Sequence, residues 1–168
     1  MATIEHGRVE VYTYKEGLLG RAAHDLRLTV DGFRIEGTPE HVAASFDIRS
    51  FRVDGAMRDG QLDERALGER DKRQIVENVR DKILHAGRPL SFEGKAEPES
   101  GGYRVEGELE MAGKRRPLAL SLARSGDRLQ GEVELMPSRW GIKPFKALMG
   151  AIKLQDRVRV RFDLPVPE

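Results

Sequence analysis

Between Tyr103 and Met136, apolar and polar side chains alternate with a period of two in three consecutive runs. Tyr103, Val105, Leu109 and Met111 interleave with Arg104, Glu106, Glu108 and Glu110. Leu118, Leu120 and Leu122 carry the second run, and Leu129, Val133 and Leu135 the third. A period of two sends alternate side chains to opposite faces of a strand, so each run predicts a strand with one dry and one wet face. Ala112-Gly113-Lys114 and Ser125-Gly126-Asp127 join the runs, and turns this short connect only antiparallel neighbours.

The same period recurs on both sides of this meander. Val9, Val11 and Tyr14 predict a strand over 7–14, and Leu26 to Ile35 one over 25–36. Val42, Ala44, Phe46 and Ile48 predict one over 41–53, Leu90, Phe92 and Ala96 one over 90–97, and Val158 to Leu164 one over 158–164. With the meander this makes eight. The phase slips at Asp31-Gly32, which predicts a β-bulge bending the strand, and again near Ser50-Phe51. Residues 16–23 break the period around Gly17 and Gly20 and read as a turn or one loose helical turn.

Between Asp63 and Ala86 the period becomes helical: Ile75, Val76, Val79 and Ile83 form one stripe, with Arg73, Glu77, Arg80 and Asp81 opposite. The predicted helix, about 69–86, stops at Gly87 and Pro89 and spans roughly 27 Å, enough to lie across the open end of a small barrel. Phe145, Leu148 and Met149 predict a second, short helix near 144–150.

Eight antiparallel strands sharing a dry face close most simply into a barrel, which removes exposed edges; a sandwich is the alternative. A barrel of eight strands is either filled by its own side chains or holds one small ligand. Gly94, Gly107 and Gly131 fall at predicted inward positions. Either they leave room in the lumen or they relieve strand coiling. The candidate lumen residues are Phe33, Phe46, Phe92, Leu109, Leu120, Leu135, Trp140 and Phe162, each of which an ordinary core would also use. For a polar head group, Arg139 beside Trp140, with Lys143 and Lys146, offers charge-assisted hydrogen bonds, and His24 or Arg21 stands in the first irregular loop.

Composition narrows the functional classes. The 168 residues fit one domain, 1–168, and 29 basic against 28 acidic side chains leave a net charge of +1 and a pI near 8.0. That is short of the clustered, strongly basic balance of a nucleic-acid binder. The absence of cysteine excludes disulfides, thiolate catalysis and thiolate-ligated metals. Neither a nucleophile-elbow, a zinc-protease nor a glycine-rich phosphate motif occurs, and His6, His24, His41 and His85 are isolated, so no enzyme, metal or cofactor is expected. Arg157, Arg159 and Arg161 form a basic stripe that cross-strand pairing with Glu132 and Glu134 accounts for. No apolar run approaches the ~20 residues of a spanning helix, and no basic start precedes an apolar core. The expectation is a cytoplasmic protein as written, periplasmic if a leader precedes it.

Several short stretches resemble the YceI-like family of lipid-binding proteins. They are His24 with Phe33 to Gly37, Ile83-Leu84 followed by Arg88-Pro89 and Ser91-Phe92, Gly107-Glu108-Leu109 with Gly113 and Pro117-Leu118, and Trp140-Gly141-Ile142. The chain departs from the family pattern at Pro137, where Arg is usual, at Arg139, where Asp is usual, and at Ala112, where a His often precedes the turn glycine. The resemblance implies a lipocalin-like antiparallel barrel holding a long apolar chain, such as a polyisoprenoid or a fatty-acid derivative. The leading expectation is therefore a non-catalytic carrier or sequestering protein for an amphiphilic lipid, with a homodimer as one form. A structural or interaction module with a filled barrel is the alternative, and a hydrolase or isomerase using His24 beside a carboxylate is the third.

Overall fold

The computed structural model of the chain describes residues 2–16, 24–147 and 152–167. It is mainly β, an antiparallel sheet curled into a half-barrel with one helical segment of 15 residues. The strands are β1 (Ala2–Ile4), β2 (Arg8–Lys15), β3 (Asp25–Val30), β4 (Phe33–Thr38), β5 (His41–Phe46), β6 (Phe51–Arg58) and β7 (Gln61–Asp63). After the helix come β8 (Ser91–Glu99), β9 (Gly102–Met111), β10 (Lys114–Ser125), β11 (Arg128–Leu135), β12 (Lys146–Ala147) and β13 (Ile152–Pro165). Twelve strands follow one another as β1-β4-β5-β8-β9-β10-β11-β13-β2-β3-β6-β7, and β12 pairs with β13 beside that path.

The expected count of eight is thus too low, for two physical reasons. Three elements, β1, β7 and β12, are two or three residues long, too short for a period to register. Two of the expected strands are also divided by bends: 25–36 at Asp31-Gly32, and 41–53 at a 3-10 turn over Ile48–Ser50. These bends face each other. The Gly32 N–H donates to Ser50 Oγ (2.8 Å), whose hydroxyl donates in turn to the Asp47 carbonyl (2.7 Å), while the Asp47 N–H donates to the Gly32 carbonyl (2.9 Å). One long hairpin, β3-β4 against β5-β6, therefore turns as a unit. Its first half joins β2 through β3 and its second half joins β8 through β5, which curls the sheet. Short β1 and β7 cover the hairpin's outer edges.

The meander forms as its alternation predicts, and β10 extends well beyond 118–122 on both sides. Its turn at Ala112-Gly113 has φ of 51° and 82°, the two positive values of a type I′ hairpin. On the wet face Arg161 lies opposite Glu132 and Arg159 opposite Glu134, and both guanidinium groups reach Glu132. Arg157 leaves the stripe, its guanidinium carbon 4.0 Å above the Tyr14 ring.

The glycines at inward positions have a different role from making room. Gly94 and Gly107 are register partners, and a Cβ on Gly107 would meet the Glu93 carbonyl and come within 2.6 Å of the Gly94 Cα. Neither they nor Gly131 border the lumen. Backbone crowding at a strongly coiled pair of strands is their reason. Gly107→Ala is accordingly expected to cost roughly 1 to 3 kcal/mol through backbone displacement. Gly87→Ala, with open space around the site, should change the urea midpoint little.

The helix α1 (Glu69–Asn78) starts after Gly68, with Glu69 and Asp71 favourably placed in its first turn. It continues as a wide π turn over Val79–Ile83, closed by the Leu84 N–H on the Val79 carbonyl (2.8 Å). The helical segment is therefore 69–83 rather than 69–86; His85 takes a left-handed φ of 57° and ends it. The expected helix near 144–150 is not formed at Lys146–Ala147, which pair with Lys153 and Ile152 as strand, and residues 148–150 lie outside the described residues.

Candidate functional site

Inward side chains of the curled sheet line a partly open cavity of about 990 Å³, at the upper end of the ~300 to 1,000 Å³ typical of small-molecule sites. The alternation of each strand supplies its wall. β2 contributes Val9, Val11 and Thr13, β10 contributes Leu118, Leu120 and Leu122, and β13 contributes Val158, Val160 and Phe162. In a packed core such residues would be covered by neighbours from across the sheet. Here Leu118, Leu120 and Leu122, Val133, Val160 and Phe162 all point inward yet remain only half-buried. Their uncovered surface faces the cavity.

The helical segment forms one side of this space. It has no fully buried residue, although Ile75, Val79 and Ile83 present a continuous apolar stripe, because that stripe borders the cavity rather than a packed surface. Polar side chains are sparse along the lumen. Thr13 stands opposite Leu26, its Oγ1 buried and without a hydrogen-bond partner among the described residues. Gln74 and Asn78 border the cavity from the helix and are joined to each other (3.3 Å).

Of the residues expected at the lumen, Phe46, Phe92, Leu109, Leu120, Leu135, Phe162 and His24 border the cavity. Phe33, Trp140 and Arg139 do not. Phe33 is buried beside Phe46, its register partner, with ring centroids 6.5 Å apart. Trp140 is 2 % exposed and turned toward β9, donating its indole N–H to the Leu109 carbonyl (2.9 Å). A left-handed Gly141 (φ 78°) closes the 3-10 turn that positions it. Arg139 is exposed and its carbonyl accepts from Arg116 Nε (3.1 Å), so the expected pairing of Trp140 and Arg139 around a head group is not formed. Arg21 lies outside the described residues. No hydrogen bond joins His24 to a carboxylate among the described residues.

Of the second half of the site, sequence reasoning named Lys143 and Lys146 and missed the rest. An open groove lined by Glu16, Lys143, Pro144, Lys146, Lys153, Gln155 and Asp156 adjoins the first cavity, and Lys143, Pro144, Gln155 and Asp156 border both. The register shift of β13 between Leu154 and Val158 creates this junction by turning several consecutive residues toward the mouth. The visible signal was the loss of strict alternation at Gln155-Asp156-Arg157.

A model of the YceI-like domain matches residues 5–166. Among solved structures, BcnA of Burkholderia cenocepacia superposes with a TM-score of 0.60 at 14% identity, over 94% of each chain. The Campylobacter jejuni YCEI protein does so with a TM-score of 0.55 at 12% identity, over 84% of each chain. At such identities the likeness is one of fold. No curated protein sequence matches the chain.

Proposed function

The chain belongs to the YceI-like family, and on that premise we propose that it is a non-catalytic protein that carries or sequesters an amphiphilic lipid, its polyisoprenoid or fatty-acid-like chain lying in the lumen. The observation that carries this reading is the set of inward apolar side chains left half-buried around a cavity of about 990 Å³. Burying a methylene is worth about 0.8 kcal/mol, so ten supply roughly 8 kcal/mol. Association and chain ordering cost on the order of 4 to 15 kcal/mol, so only a long chain binds well. With few polar groups along the wall, selectivity follows chain length and bulk more than functional-group pattern.

Native mass spectrometry of the protein purified from its own host is expected to show a co-purifying mass in the range of a long-chain lipid. Protein stripped of it should bind fluorescent prenyl and acyl probes. A preparation without bound lipid that also ignores both probe classes would overturn the reading in favour of a purely structural module.

A further inference from the structure

The groove at the cavity mouth carries a charge arrangement that the fold alone does not explain. Lys146 on β12 lies directly opposite Lys153 on β13, a like-charge pair of the kind that destabilises an antiparallel ladder. Lys143 lines the same groove, so three cations converge there against two carboxylates, Glu16 and Asp156. Both carboxylates are engaged. Glu16 pairs with Lys153 (3.4 Å), and Asp156 accepts from the Ser138 N–H (2.9 Å) and from its hydroxyl. The Gln155 amide donates to the Lys15 carbonyl (2.9 Å). Lys143 and Lys146, both exposed, have no carboxylate within ion-pair distance among the described residues.

The apolar residues beside them line the other space. Ile142, Phe145 and Leu154 border the large apolar cavity, while Lys146 and Lys153 border only the groove and Lys143 borders both. Over a few residues the wall passes from hydrocarbon-like to cationic. We propose that this groove reads the head of the bound lipid and that the head is anionic, a carboxylate or a phosphate at the end of a long apolar chain. An anion beside Lys143 and Lys146 supplies the counter-charge that Glu16 gives only to Lys153, and accepts charge-assisted hydrogen bonds. A neutral head leaves both cations without one. The inference rests on the lipid-carrier reading and specifies its ligand.

The test uses cis-parinaric acid against its methyl ester, and geranylgeranyl phosphate against geranylgeraniol, titrated into stripped protein. The unaltered protein is expected to prefer the anionic member of at least one pair by about tenfold, and the pair that shows it distinguishes carboxylate from phosphate. Lys143→Glu/Lys146→Glu should abolish that preference while leaving the neutral member within about twofold. Near 1 M salt, where screening acts over ~3 Å, the preference should shrink in the unaltered protein. Both substitutions are at exposed positions, and an unchanged thermal midpoint verifies folding. Equal affinity for charged and neutral members, unaltered by the substitutions, overturns the head-group inference and leaves the carrier reading standing. Failure of all four probes to bind overturns the carrier reading, and the inference with it.

Discussion

Replacing Asp54 by alanine is expected to destabilise the protein by about 2 kcal/mol, because it removes a buried carboxylate that accepts three hydrogen bonds, while Arg27 and Arg52, neither of them buried, keep Glu10 (3.4 Å) and Asp31 (2.8 Å) as partners. Asp54 is the buried charged residue of the described core, 7 % exposed. It occupies the bulge of β6: Arg27 pairs with Gly55 and Leu28 with Val53, so Asp54 is the additional residue between them. Its Oδ2 accepts from Arg27 Nε (2.9 Å) and Thr29 Oγ1 (2.6 Å), and its Oδ1 from Arg52 Nη1 (2.7 Å). The carboxylate therefore ties β3 to β6 where the strands lose register. Asp54→Asn keeps the shape and loses the charge, so its cost should fall between zero and that of alanine. Urea unfolding with an unchanged m-value is the measurement. A loss below about 0.5 kcal/mol for alanine would show that Arg27, which is partly exposed and also lies near Glu10 (3.4 Å), re-solvates without penalty. Asp54 does not border the cavity, so probe affinity should be unaffected in the folded fraction.

This network also marks where the sequence stops being readable. Alternation exposes which residues share a face, and it correctly sends Leu118, Leu120, Leu122, Val160 and Phe162 inward. It does not say whether an inward residue meets a void or another side chain, which is why Phe46 and Phe33 look alike in sequence although only Phe46 borders the cavity. The lumen aromatics were legible as a face and not as a wall. Bulges are worse, since each shifts the phase by a residue: Asp54 reads as an ordinary polar position, and Arg157 as a member of the outer stripe. Gly94 and Gly107 fail for another reason. Their inward phase suggested empty space, but the cause is contact between the two backbones across the ladder, a distance that no single strand's pattern contains. Lys153 as a groove residue depends on β12, a strand of two residues that periodicity cannot detect.

Filling the lumen from its wall should separate ligand binding from stability. Leu120 sits in β10 opposite Val105, points inward and is half-buried against the cavity. Leu120→Trp puts an indole into that space without altering the ladder. If the cavity is open in solution, the added ring gains apolar burial and the thermal midpoint should hold or rise. Affinity for prenyl and acyl probes should meanwhile fall at least tenfold, because the indole occupies volume the chain needs. If the barrel were filled by its own side chains, the same ring would be overpacked and cost about 1 to 3 kcal/mol. Ala119→Trp, on the exposed outer face opposite Glu106, is the control that should change neither quantity. The two readings of the fold thus predict opposite signs for one measurable stability change. A destabilised Leu120→Trp protein with undiminished probe affinity would place the chain outside the lumen and refute the carrier reading at its physical root.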